Sequence, residues 1–121
     1  MSKEILIVED DVINLKMMND LLQAQGYDTH QSVDGKDFLQ LTRDHNPDLI
    51  IMDIQLPEIS GLDHIKSLKA DEQLRNIPVI AVTAFAKKHD EDKIRAAGCD
   101  GYISKPIDIP LFLETVATFL S

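Results

Sequence analysis

Six polar residues of this sequence sit directly after short apolar runs. Glu9, Asp10 and Asp11 follow Ile5-Leu6-Ile7-Val8, Asp53 follows Leu49-Ile50-Ile51-Met52, Thr83 follows Val79-Ile80-Ala81-Val82, and Lys105 follows Gly101-Tyr102-Ile103-Ser104. If those runs are parallel strands of one sheet, the six side chains gather on one rim, because open parallel sheets bind ligands beyond the carboxyl ends of their strands. Like charges about 4 Å apart repel by several kcal/mol at an intermediate dielectric. Glu9, Asp10 and Asp53 together therefore need a counter-charge. An all-oxygen donor set selects a hard divalent cation, and Mg²⁺ keeps several waters, so one or two direct carboxylates suffice. Asp10 and Asp53 are assigned as direct ligands, with the backbone carbonyl of Gln55 as a third. Glu9, one methylene longer, acts through a water or as a second acidic site. Mn²⁺ accepts the same donors and is expected to substitute. Asp11 is assigned a structural role, its carboxylate favouring the N-terminus of the helix that follows.

Lys105 brings a positive point charge to Asp53, and Thr83 brings a hydroxyl donor. A cation, an ammonium and a hydroxyl suit a transferring phosphoryl group, whose charge spreads over three oxygens. Asp53 is then the nucleophile and the product an aspartyl-phosphate. Each feature alone is common: an acidic pair after a strand is ordinarily a helix cap, and Lys-Pro is ordinarily a turn. The signal is that all of them occur in order at strand ends.

The elements that must position these residues alternate along the chain. The apolar runs at 5–8, 49–52 and 79–82 read as strands covered on both faces, 101–104 as a weaker one, and the more polar 27–33 as an edge strand. Helical spacing of Leu15, Met18, Leu21 and Leu22 predicts a helix over 12–25, stopped by Gly26. Asp34 as N-cap and Pro47 as terminator bound a helix over 35–45. Ser60 with Asp63 opens a helix over 61–70, Gly98 closes one over 86–97, and Asp108-Ile109-Pro110 starts a last one. Five strands alternating with five helices imply right-handed crossovers and a mostly parallel sheet.

The bulk properties agree with one domain over residues 1–121. The chain has 121 residues, 44% of them apolar, enough for one core without a staple. A net charge of −9, from 21 acids and 12 bases, repels a phosphate backbone, so direct nucleic-acid binding is not expected. No apolar run approaches the roughly 20 residues that span a bilayer, so membrane insertion is not expected. The single cysteine, Cys99, fits a reducing, cytoplasmic location. The last helix reaches Leu120 with no tether after it, which reads as a stand-alone module or one trimmed from a longer chain.

Taken with their order and spacing, the stretches Ile5 to Asp11, Met52 to Pro57 with Ser60-Gly61-Leu62, Val82-Thr83-Ala84 and Tyr102 to Pro106 resemble bacterial response-regulator receiver domains over essentially the whole chain. More narrowly, Leu56 to Leu62, Val82 to Ala86 and Phe112 to Thr115 look like single-domain members that regulate cell division and polarity. The resemblance implies a flavodoxin-like (βα)5 three-layer sandwich with strand order 2-1-3-4-5. It implies phosphorylation of Asp53 by a sensor histidine kinase or histidine phosphotransferase, dephosphorylation by a kinase-type phosphatase, and a downstream protein target. It carries Asp10 and Glu9 over as acidic metal residues, and Thr83 and Lys105 as phosphoryl contacts. Thr83 and Tyr102 would form the switch, Tyr102 filling the space left when Thr83 is drawn toward the phosphoryl group. Ile13 and Met17, off the core stripe of the first helix and flanking the rim, would dock the kinase's phosphotransfer helix. Two alternatives differ in class. A Mg²⁺-dependent phosphohydrolase of the haloacid-dehalogenase type would also use Asp53 as nucleophile, but carries a second acid where this chain has Gln55. A flavodoxin-like cofactor carrier needs a Gly- or Ser/Thr-rich phosphate cradle, absent from the acidic first loop.

Overall fold

The computed structural model describes residues 3–55, 60–84 and 88–120, and of 88–90 the backbone only. The motif residues 56–59 and 85–87, and positions 1, 2 and 121, lie outside the described residues. The strands are β1 (Glu4–Val8), β2 (Asp28–Ser32), β3 (Leu49–Asp53), β4 (Val79–Thr83) and β5 (Gly101–Ser104), and the helices α1 (Val12–Ala24), α2 (Phe38–His45), α3 (Gly61–Ala70), α4 (Lys88–Ala96) and α5 (Ile109–Leu120). The five strands form one sheet in the order β2-β1-β3-β4-β5, every pair parallel. This is the flavodoxin-like three-layer sandwich that the family resemblance implies.

Alternation along the strands splits the core in two. Leu6, Val8, Ile50, Met52, Val79 and Ala81 face one side and pack with Phe38 of α2, Ile65 and Leu68 of α3 and Ile94 of α4. Ile5, Ile7, Leu49, Ile51, Ile80 and Val82 face the other and pack with Leu15, Met18 and Leu22 of α1 and Phe112 and Val116 of α5. All residues of β3 and β4 are buried, which is why both read as unbroken apolar runs. β2 lies at the sheet edge, and its polar sequence follows from having one strand neighbour.

Side-chain caps fix where the helices begin. Asp11 Oδ1 accepts from the N–H groups of Ile13 (2.9 Å) and Asn14 (3.2 Å) and opens α1. Ser60 Oγ accepts from Leu62 N–H (3.2 Å) and opens α3, and Asp108 Oδ1 accepts from Leu111 N–H (3.1 Å) in α5. The expected start of the second helix at residue 35 is corrected: α2 begins at Phe38, after Asp37. The cause is a turn built on Ser32. Its hydroxyl donates to Asp37 Oδ1 (2.6 Å) and accepts from Gly35 N–H (3.1 Å), with Gly35 at φ 78°, outside the helical region. Asp34 accepts from Lys36 N–H (3.0 Å) in that turn and caps no helix.

The C-terminal end of α3 is clasped by one ammonium. Lys69 Nζ donates to the carbonyls of Arg75 (3.1 Å) and Ile77 (3.0 Å) and to Asp100 Oδ2 (3.0 Å), and Asp100 Oδ2 also accepts from Val79 N–H (2.9 Å). The clasp ties α3 to the starts of β4 and β5, at the end of the sheet away from Asp53. Among the described residues no helix is long and apolar enough to cross a membrane.

Candidate functional site

Because β1 and β3 are adjacent and in register from Ile5↔Leu49 to Val8↔Met52, their next residues, Glu9 and Asp53, emerge side by side. Glu9 is 0% exposed and Asp53 2%, while Asp10 faces solvent. Carboxylate oxygens of Glu9, Asp10 and Asp53 lie within 4.8 Å of one another. Lys105 is anchored by its own N–H, which donates to the Thr83 carbonyl (2.8 Å). Its Nζ lies 3.0 Å from Glu9 Oε1 and 3.5 Å from Asp53 Oδ2. The sequence pairs Lys105 with Asp53; the fold gives it both carboxylates, with the shorter contact to Glu9. Asp53 Oδ1 accepts from Gln55 N–H (3.0 Å), and the Gln55 side-chain carbonyl accepts from Ala84 N–H (3.2 Å), tying the loop after β3 to the end of β4.

The backbone behind Asp53 is held from α3. Gly61 N–H donates to the Ile54 carbonyl (3.1 Å). A Cβ at Gly61 would stand 2.2 Å from the Asp53 carbonyl oxygen and 2.7 Å from Ile54 Cα. Only glycine lets the first turn of α3 approach the strand end so closely.

Thr83 is fully buried and on the same side of β4 as Val79 and Ala81, the side against which Tyr102 packs half-buried. Both proposed switch residues thus share one face of the sheet. Ile13 is 79% and Val12 64% exposed, whereas Met17 is half-buried against the α1/α5 core. These three line a shallow groove with Lys16 and Asp20.

The electrostatics divide the carboxylates. Burial pushes the Glu9 carboxyl up to about 8, and contact with the negative Asp53 adds to this, while Lys105 opposes it. Burial acts on Asp53 in the same direction, but contact with the Glu9 carboxyl, the Gln55 N–H and the Lys105 charge outweigh it and hold Asp53 below the ordinary value. Asp10 is raised by desolvation first and Asp53 second. Burial would lower Lys105; Glu9 and Asp53 override it, and its pKa rises. Near neutral pH the cluster is an ionised Asp53, a protonated Glu9 and an ammonium between them. The counter-charge the sequence demands is thus partly supplied from within, by a proton and Lys105.

This sets a pH dependence. Between the ordinary glutamate value of 4.5 and about 8, folded Glu9 holds a proton that the unfolded chain has released. The Glu9 contribution to stability is therefore lost as pH rises through that window, while His64, held below its ordinary value by burial, contributes in the opposite sense only near and below 6.5. Asp53 is ionised in both states there and Lys105 charged in both, so neither cancels the slope. Urea melts in EDTA are expected to give a lower midpoint at pH 8.5 than at pH 6. In Glu9→Gln the decline should be shallower; a decline as steep as in the wild type would assign it to other groups.

An ionised carboxylate, a half-buried ammonium, a buried hydroxyl and an open acidic edge meet at the carboxyl end of a 2-1-3-4-5 sheet, and the chain belongs to the response regulator receiver domain family, whose profile matches residues 5–117. It is a signalling protein of the two-component type. Among individual proteins, it is 57% identical over 120 residues to the polar-differentiation response regulator DivK of Brucella ovis, covering 99% of this chain and 98% of that one. DivK of Brucella anthropi is 56% identical over the same length. Among solved structures, the receiver domain of Francisella response regulator 1452 superposes with a TM-score of 0.90 at 27% identity, covering 98% of this chain and 96% of that one. The receiver domain of the sensor histidine kinase PA1611 from Pseudomonas aeruginosa, with a magnesium ion coordinated in its active-site cleft, gives 0.89 at 28% identity and 98% coverage of both chains. The phosphohydrolase alternative finds no support: the position of its second acid holds the neutral Gln55, bonded to Ala84.

Proposed function

We propose that residues 1–121 form one receiver domain that accepts a phosphoryl group on Asp53 and signals by changing which proteins it binds. The observation that carries this is the ionised, buried Asp53 beside Lys105, with a second and third carboxylate oxygen inside 4.8 Å. An Asp53 oxygen attacks phosphorus, the P–N bond of a donor phosphohistidine breaks, and the imidazole leaves with the electron pair. Lys105 Nζ, already 3.5 Å from Asp53 Oδ2, meets charge developing on the phosphoryl oxygens. The all-oxygen donors, open on the Asp10 side, fit a hard divalent ion held by Asp10, Asp53 and the Gln55 carbonyl, with Glu9 in reach through a water. Mg²⁺ bound there would neutralise charge on the transferring group, and Mn²⁺, which takes the same donors, would substitute for it. The test is incubation with acetyl phosphate and Mg²⁺ followed by intact-mass measurement: the expected result is one added phosphoryl group, lost when EDTA replaces Mg²⁺. An unchanged mass in Mg²⁺ overturns the reading.

The donor is a sensor histidine kinase or a histidine phosphotransferase, and the only catalysis is of the protein's own phosphotransfer and slow dephosphorylation. By likeness to DivK, its target belongs to the control of cell division and polarity, in the cytoplasm. Thr83 hydrogen-bonds the phosphoryl group and Tyr102 follows it inward. Thr83→Ala is therefore expected to leave Asp53 phosphorylatable while removing roughly 1–2 kcal/mol of coupling to the target. A target affinity that still responds to phosphorylation in Thr83→Ala would break the link. Ile13 and Met17 dock the donor helix. Ile13→Ser with Met17→Ser should slow transfer from the kinase about tenfold, as loss of a small apolar anchor does. Labelling by acetyl phosphate, which needs no docking, should be unchanged.

A further inference from the structure

A second cluster of ligating groups lies at the opposite end of β1 from the acidic rim. His30, in the middle of the edge strand β2, is level with Leu6 and so faces the α2 side of the sheet. There its ring stacks on that of His45, the last residue of α2, with centroids 3.7 Å apart and planes 16° from parallel. Glu4, the first residue of β1, places Oε1 2.9 Å from His30 Nε2. One nitrogen from each ring and a Glu4 oxygen lie within 4.8 Å of one another. All three residues are half-buried, so the cluster is neither sealed in the core nor dispersed in solvent. An open cleft of about 580 Å³ borders Glu4 and His30, with His45 outside its lining.

We propose that Glu4, His30 and His45 form a binding site for a borderline divalent transition-metal ion, with Zn²⁺ the reference case. Two imidazoles and a carboxylate select Zn²⁺, Cu²⁺ or Ni²⁺ and discriminate against Mg²⁺, which prefers oxygen. Ligands on one Zn²⁺ at about 2.1 Å stand no more than about 4.2 Å apart. A ring nitrogen binds along its in-plane lone pair, so the two rings, now stacked 16° from parallel, must also turn out of their stack to share one ion. The ion takes the position between Glu4 and His30 where a proton now joins them. Three protein ligands leave the fourth position to water, on the cleft side. The site joins the start of β1 and the middle of β2 to the end of α2, with Glu4 on the order of 16 Å along β1 from Glu9. It is chemically and spatially separate from the acidic rim.

Calorimetric titration of the full chain with ZnCl₂ in saturating Mg²⁺ tests this, alongside thermal melts. One Zn²⁺ is expected to bind per chain, raising the melting temperature. His30→Gln and His45→Gln should each weaken binding at least about tenfold and lose that rise. Asp53→Asn should bind Zn²⁺ as the wild type does. With Cu²⁺ as probe, electron paramagnetic resonance should show coupling to two imidazole nitrogens. Should either histidine variant prove unfolded by circular dichroism, Glu4→Gln takes its place, with the same weakening expected. Absence of Zn²⁺ binding, binding unchanged in the histidine or Glu4 variants, or binding lost in Asp53→Asn overturns the proposal.

Discussion

Asp53→Asn is expected to lower phosphoryl incorporation from acetyl phosphate by on the order of a thousandfold or more, to below detection by intact mass, because it removes the nucleophile itself. The substitution is informative because little else should change. Asparagine keeps a carbonyl that can accept from Gln55 N–H, now bonded to Asp53 Oδ1 at 3.0 Å. It also takes away a negative charge that raises the Glu9 carboxyl. The variant should therefore match or exceed the wild type in urea stability at pH 8, where wild-type Glu9 is about half ionised. Lost labelling with an intact fold locates the chemistry at Asp53. Labelling that persists at wild-type stoichiometry would place the acceptor elsewhere.

Of the glycines at 26, 61, 98 and 101, Gly61 should be the one least tolerant of an added methyl group, so Gly61→Ala is expected to be the most damaging of these changes. Its Cβ would meet three backbone atoms inside 3.0 Å: the Asp53 carbonyl oxygen at 2.2 Å, Ile54 Cα at 2.7 Å and the Asp53 carbonyl carbon at 2.9 Å. Backbone cannot rotate away as a side chain does. Either α3 shifts outward and breaks the Gly61 N–H to Ile54 carbonyl bond, or the strand end carrying Asp53 is displaced. Overpacking of this kind costs roughly 3 kcal/mol or more. The expected result is a urea midpoint far below the wild type, with slowed Asp53 phosphorylation in whatever fraction folds. A wild-type midpoint would mean that α3 does not bear on the Asp53 backbone.

The course of the chain was readable because its signals are local. Unbroken apolar runs mark β1, β3 and β4, since strands covered on both faces need no polar alternation. Asp11 and Ser60 cap the helices that their positions announce. The start of α2 was not readable, because Asp34 offers a good cap on paper while the helix opens at Phe38. What delays the helix is the Ser32 hydroxyl, which bonds across five residues to Asp37 and three to Gly35. Strand order came from family likeness, as periodicity carries no information on which strands neighbour. At the site, residue types and strand-end positions identified Glu9, Asp10, Asp53, Thr83 and Lys105 as one group. The division of labour within it was hidden. A sequence shows three acids needing a cation, whereas complete burial of Glu9 turns one of them into a proton store with Lys105 at 3.0 Å. The His30–His45 stack was invisible too, because a strand residue and a helix end 15 positions apart meet only once the crossover has closed.

Of the five strands, the first in chain order is an interior one. β1 has β2 on one side and β3 on the other, and its residues from Ile5 to Val8 are wholly shielded in the finished sheet. During synthesis its second edge stays unpaired until Asp53 has emerged, so an apolar tetrapeptide with open hydrogen-bonding groups waits for more than a third of the chain. That interval exposes a nascent chain to pairing with its neighbours. It also makes the amino-terminal strand intolerant of shortening: trimming past Glu4 would cut into the middle of the sheet and open a gap between two strands that share no bonds of their own.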